Sequence, residues 1–309
     1  MMKKMLFLML LFVCSSTVFA LPVSQLVFFG DSLTDDGNLY RNTAKIVPPS
    51  PYFYGRFSNG YTWADQVGHY FYDKYYTDET NYAFGGATAT LNDSSTRTLE
   101  EEQTAYYNET TADDRGKAIQ FIWIGANDYL HDNTTKEKVL TKAVVDKIEA
   151  GVVSLMEHGA TRVMVMNLPD LSRTPYGKRS QFAERLHALT LMHNEQLAQA
   201  MGRLQRQYPM VQLVDTYAIL EDLLQDPDKF NKEYGQSINN VTDDCLLLGS
   251  HRAVHIDQVM SGKAYQAGDL KLCEDPNRHV FWDAVHPSAA THQIFAALIE
   301  KQLETTINR

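Results

Sequence analysis

Apolar positions are spaced in two ways along the chain. Short runs at Leu26–Phe29, Ala118–Ile124, Arg162–Asn167 and Val211–Val214 are rich in β-branched, aromatic and other large apolar side chains, and the first two stop at Gly30 and Gly125. Runs of this length and make-up predict buried strands. Longer segments carry apolar residues at helical spacing: Thr62–Tyr72 after an SNG turn, Lys136–His158 closed by Gly159, Ser180–Gln207, and a final stretch from Pro287 to Leu303. These predict amphipathic helices, and proline is tolerated in the first turn of the last. Strands alternating with long helices predict a parallel α/β sheet covered on both faces. In such sheets, sites form at the carboxyl ends of the strands. Three polar motifs fall at such ends: Asp31-Ser32, Asn127-Asp128 and Asp215.

Two regions depart from this alternation. Residues 226–282 are rich in Asp, Asn, Gly and Ser and have little periodicity, which predicts a long insertion before the last helix. At the other end, Lys3 and Lys4 precede the apolar run MLFLMLLFV and the small residue Ala20. Residues 1–20 therefore read as a secretory signal peptide, with residues 21–309 as a single domain. A lipid-modified Cys14 is the rival reading, and the bulky Val13 before it argues against that. No later segment is apolar and long enough to span a bilayer, so the expectation is an exported protein, secreted or periplasmic.

Charge and cysteine content narrow the partners. The formal net charge of −10 argues against nucleic acid and against docking on anionic lipid, while leaving neutral and zwitterionic lipids open. Loss of Cys14 with the leader would leave Cys245 and Cys273, a pair that in an exported chain most often forms a disulfide. Two cysteines without a CxxC spacing or a nearby His pair make a poor zinc site.

A serine hydroxyl becomes a nucleophile when a base takes its proton, a third group orients that base, and donors face the developing oxyanion. Ser32 in GDSLTDDGN follows a predicted strand. In WDAVHPS, Asp283 and His286 are three residues apart, a spacing that puts both on one face of a helical turn. The other histidines of the ten lack this setting and read as solvated or structural. Donor candidates are the backbone of Ser32, the glycine pair in NYAFGGAT, and Asn127 in IGANDY. An ordinary Gly-Gly turn and a helix-capping Asn are the alternative readings. Asp31 is expected to hold the loop around Ser32, and Asp35 and Asp36 to start or cap a helix.

The four blocks taken together, GDSL near the start, NYAFGGA, GAND, and DAVHP near the end, resemble the GDSL, or SGNH, hydrolase family across nearly the whole chain. The resemblance falls on Ser32, Gly86, Asn127 and His286, with Asp283 before the histidine; Gly85 is the alternative to Gly86. It implies a flavodoxin-like three-layer α/β/α fold with a parallel central sheet, ester hydrolysis through an acyl-serine, and no metal or organic cofactor. The catalytic set would be Ser32, Asp283 and His286, with an oxyanion hole from Ser32, Gly86 and Asn127. GDSLTDDGN, YGRFSNG and the late cysteine pair are similar to the secreted bacterial lipolytic branch, which includes lysophospholipases A and glycerophospholipid–cholesterol acyltransferases. That implies a lysophospholipid or other acyl-ester substrate. The 246–272 loop, with LLL at 246–248 and scattered apolar residues in a polar setting, reads as a lid over an acyl-chain groove, and the resemblance to lipolytic enzymes implies a nicking protease as a further partner; a plain surface excursion pinned by the disulfide is the alternative. A carboxylesterase or carbohydrate acetylesterase on the same fold is the alternative activity.

Overall fold

The computed structural model describes residues 23–90, 97–132, 135–248, 252–253 and 270–307. The leader read at residues 1–20, Cys14, and residues 249–251 and 254–269 of the expected lid lie outside the described residues.

Five strands, β1 (Gln25–Gly30), β2 (Asp78–Asn81), β3 (Ala118–Trp123), β4 (Val163–Met166) and β5 (Val211–Val214), form one parallel sheet in the order β2-β1-β3-β4-β5. Apolar runs in β1, β3 and β4 are buried on both faces, as a sheet sandwiched between helix layers requires. Helix Trp63–Tyr75 packs on the last helix, Ala289–Ile307, and helix Glu137–Glu157 packs on Leu99–Glu109 and Ala183–Gln207. The result is a three-layer α/β/α fold of the flavodoxin type. Between the layers Phe28 stacks on Phe121 at 4.9 Å, and Trp63, Trp123 and Phe295 follow edge to face. The chain leaves β1 towards β2 on one side and β3 on the other, so the crevice between β1 and β3 is the topological switch point.

The elements that periodicity did not reveal have local causes. β2 is the polar sequence DETN on the sheet edge, where no apolar alternation is required. Helices Leu99–Glu109 and Ala112–Gly116 start at capping boxes, Thr98 with Glu101 and Thr111 with Asp114, rather than at an apolar stripe. Residues 226–282 are more regular than their composition predicts. They contain helix Pro227–Tyr234, strand Asn240–Asp244 paired in parallel with His279–Phe281, and Leu246–Leu248 between Arg252–Ala253 and Leu270–Leu272. Strands of two to five residues are too short to show a period. Cys245 and Cys273 form a disulfide across this small sheet. Among the described residues, no helix is long and apolar enough to cross a membrane.

Candidate active site

β1 ends in a tight turn that backbone contacts dictate. Gly30 lies opposite Trp123 with φ +147°, and a Cβ there would sit 2.1 Å from the Trp123 carbonyl oxygen. Only glycine allows this approach. Asp31 then folds the chain back: its carbonyl accepts from the N–H groups of Thr34 and Asp35 at 3.0 and 2.9 Å. Its Oδ1 accepts from the Leu33 N–H at 3.0 Å. Ser32, at the apex, turns its Oγ towards His286 Nε2, 2.9 Å away.

Below this turn lies a set of buried acids. Asp35 accepts from the N–H groups of Gly37, Asn38 and Leu39, at the start of helix Asn38–Asn42, and from the Gly85 N–H at 2.7 Å. Asp36 instead pairs with Arg41 at the surface. Glu102, which the sequence did not point to, accepts from the Gly30 N–H at 2.8 Å. Burial pushes the Asp31 carboxyl up to about 7 and Asp35 up to about 6. Burial, with Asp31 and Asp35 nearby, holds Glu102 well above the usual range.

The glycine pair follows β2. Gly85 spends its N–H on Asp35. Gly86, at φ +81°, has an N–H without a hydrogen-bond partner among the described residues, and so has Ser32. Asn127 stands in the first turn of helix Ala126–His131, beyond β3, and is buried. One of its two amide hydrogens goes to the Ala87 carbonyl at 2.8 Å, which ties it to the glycine loop. Asp128 secures the same loop by accepting from the N–H groups of Ala89 and Thr90 at 2.8 and 2.9 Å.

The fourth block does not lie on the central sheet. Asp283 Oδ1 accepts from the N–H groups of Val285 and His286, and Oδ2 accepts from His286 Nδ1 at 2.7 Å. A proton held on Nδ1 leaves the Nε2 lone pair facing Ser32. Burial pushes the Asp283 carboxyl up, but the His286 imidazole and the hydrogen bonds from His286, Tyr52 and Val285 outweigh it and keep the group below its ordinary range. The loop is fastened from outside: Ser58 Oγ donates to the Pro287 carbonyl, the Tyr176 N–H to Ala284, and the Leu246 N–H to Trp282. Tyr52, absent from the sequence-derived set, donates its phenol to Asp283 Oδ2 at 2.6 Å. Its position in the PYFYGRFSNG stretch gave no sign of this, because the contact is long-range.

Two other buried histidines are structural. His193 meets the Tyr129 hydroxyl at 2.7 Å, the Trp63 N–H donates to His292 Nδ1, and burial drives both imidazoles down to about 3. Among the described residues no group of His, Cys, Asp and Glu is arranged to hold a metal.

Ser32, His286 and Asp283 therefore form one hydrogen-bonded relay, with the Gly86 loop and Asn127 tied to the same crevice, an arrangement suited to acyl transfer. The chain belongs to the GDSL-like lipase/acylhydrolase family, whose model matches residues 26–299. It is 29% identical over 337 residues to a phosphatidylcholine-sterol acyltransferase of Aeromonas hydrophila, covering 95% of this chain and 98% of that protein. It is 30% identical over 288 residues to the secreted effector protein SseJ of Salmonella typhimurium, covering 90% of this chain. A thermolabile hemolysin of Vibrio parahaemolyticus is 29% identical over 93% of this chain. The chain spans less than two thirds of the Salmonella and Vibrio relatives, 63% and 64%. Among solved structures it is similar to a catalytic mutant of an acetylxylan esterase from Geobacillus stearothermophilus, with TM-score 0.51 and 15% identity, covering 91% of this chain and 94% of that one. An aryl esterase of M. smegmatis matches with TM-score 0.51 and 12% identity, covering 92% of this chain and 99% of that one. These last two likenesses concern the fold.

Proposed function

We propose that the protein is an exported serine esterase that hydrolyses the acyl ester of lysophospholipids. The observation that carries the catalytic part is the relay from Asp283 Oδ2 to His286 Nδ1 at 2.7 Å and from His286 Nε2 to Ser32 Oγ at 2.9 Å. In this reading His286 takes the Ser32 proton as Oγ attacks the acyl carbonyl, and Asp283 stabilises the imidazolium. The unpartnered N–H groups of Ser32 and Gly86 and the second amide hydrogen of Asn127 receive the oxyanion. The engagement of the Gly85 N–H by Asp35 favours Gly86 over Gly85 for this role. Collapse of the tetrahedral species returns the proton to the departing alcohol, and water, or a second alcohol in acyl transfer, releases the acyl group.

Support for a phospholipid-type ester comes from the Aeromonas acyltransferase, matched over nearly its full length. The test is fatty-acid release from lysophosphatidylcholine by wild type and Ser32→Ala, with diacyl phosphatidylcholine and a short acetyl ester alongside. Ser32→Ala is expected to lose on the order of 10⁴-fold or more in kcat while staying folded. Near-wild-type activity in Ser32→Ala would overturn the site. Ser32-dependent release from the acetyl ester alone would keep the site and replace the lipid substrate with a carbohydrate or other short-chain ester.

A further inference from the structure

An ionised carboxylate offers about four acceptor positions. Asp283 fills them with the N–H groups of Val285 and His286, the His286 Nδ1 and the Tyr52 hydroxyl. The first three donors belong to the carboxylate's own turn. Tyr52 is 231 residues away in sequence and donates to the oxygen that also holds the imidazole. Tyr52 and Asp283 are only 7% and 1% exposed, so bulk water cannot take over that position. Phe57 and Trp282 hold the Tyr52 ring edge-on, with centroids 6.1 and 5.9 Å away. Phe57 also lies 5.1 Å from the His286 ring, so one short segment braces both members of the pair.

We propose that Tyr52 is a positioning residue for the His286–Asp283 pair: its phenol orients the carboxylate and moderates its basicity. The inference rests on the reading of Ser32, His286 and Asp283 given above. A donor on Oδ2 draws charge from the oxygen that faces Nδ1, which keeps the carboxylate ionised and leaves the proton on the imidazole. Without the phenol, Oδ2 has an unfilled acceptor position in a dry site. The carboxylate becomes a stronger base and stabilises the imidazolium more, so His286 keeps its proton to higher pH. The other titratable groups facing the pair are Ser32 at Nε2, Asp31 beside Ser32, and His292 on the last helix. Tyr52→Phe leaves all three in place, so a change in pH dependence isolates the phenol.

The experiment uses the full chain and a soluble ester. Tyr52→Phe keeps the ring and its packing, and a melting curve verifies the fold. It is expected to lower kcat about 10-fold with KM little changed, since the phenol acts through Asp283. The acid limb of kcat/KM against pH is expected to move up by about half a pH unit. In an Asp283→Asn background the same change is expected to cost nothing further, because the group it acts through is gone. The downfield proton resonance of the His286 Nδ1–H gives a readout without turnover and is expected to shift in Tyr52→Phe. An unmoved acid limb with an unmoved resonance, or additive losses in the double variant, would overturn the proposal. Activity surviving in Ser32→Ala would instead sink the reading of the site itself, so the two failures are distinguishable.

Discussion

The two halves of the site are held in different ways. Ser32 hangs from the buried end of an inner strand, in a turn whose own bonds lie within a few residues of Ser32, with Glu102 and Trp123 holding the strand end beneath it. His286 lies in a loop beside the sheet, fastened by Tyr52, Ser58, Tyr176 and Leu246 from three distant parts of the chain. The nucleophile is thus placed by local backbone geometry on a rigid scaffold, and the base by side chains and loops that the fold must first bring together. Damage to the first should act on folding. Damage to the second should act on activity and local motion first.

The largest effect is expected from Gly30→Ala. A methyl group cannot fit 2.1 Å from a backbone oxygen at positive φ, so either the strand end or β3 must shift. We expect a loss of about 3 kcal/mol or more in stability, or failure to fold, measured by denaturant unfolding. A variant with near-normal stability would show that the Ser32 turn is not anchored as described.

A smaller effect sharpens the other half. The Cys245 N–H donates to the Phe281 carbonyl at 3.2 Å and the Leu246 N–H to Trp282 at 2.7 Å, so the disulfide lies one hydrogen-bonded layer from Asp283. Replacing both Cys245 and Cys273 by Ser should cost about 2–3 kcal/mol. Amide hydrogen exchange should quicken across residues 279–287 and stay unchanged across residues 25–35. Equal quickening in both regions would erase the distinction.

The smallest effect is in pH. The raised carboxyl of Asp31 favours the fold fully below the ordinary aspartate range, and that contribution is lost as pH rises through about 7; Asp35 behaves likewise through about 6. Buried His193 and His292 have the opposite sign: their contribution is present above the ordinary histidine range and is lost as pH falls towards about 3. Above about pH 6.5 an unfolded histidine is already mostly neutral, so the acids act alone there. Glu79 and Glu300, which burial also pushes up to about 7, and buried Glu102 act with the same sign, so stability should fall between about pH 6.5 and 8, with Asp31 contributing on the order of 1 kcal/mol or less, and Asp31→Asn should flatten that part of the fall. Thermal melts across that window check it. A variant that falls as steeply as wild type would remove Asp31 from the account.

Much of this architecture was legible in the residues themselves. The runs that became β1, β3 and β4 are apolar because both their faces are covered, β5 is a shorter, half-buried edge run, and the loops carry polar motifs because sites form at strand ends. Ser32, Asn127, Asp283 and His286 stood out because each pairs an unusual residue with a strand end or a short fixed spacing. β2 was not legible, since an edge strand needs no apolar pattern, and neither was the order in residues 226–282, where the strands are too short to have a period.

The alternation of strands and helices, the turn that lifts Ser32 and the candidate acid–base pair were already written in the residues, because these depend on spacing and backbone freedom within a few residues. Which glycine keeps a spare N–H, the support that Glu102 gives the strand end, and the bond by which Tyr52 fills the last acceptor position of Asp283 emerge only on folding. Those outcomes rest on contacts between residues dozens to hundreds of positions apart. Their geometry exists only after the sheet has formed and the layers have closed over it.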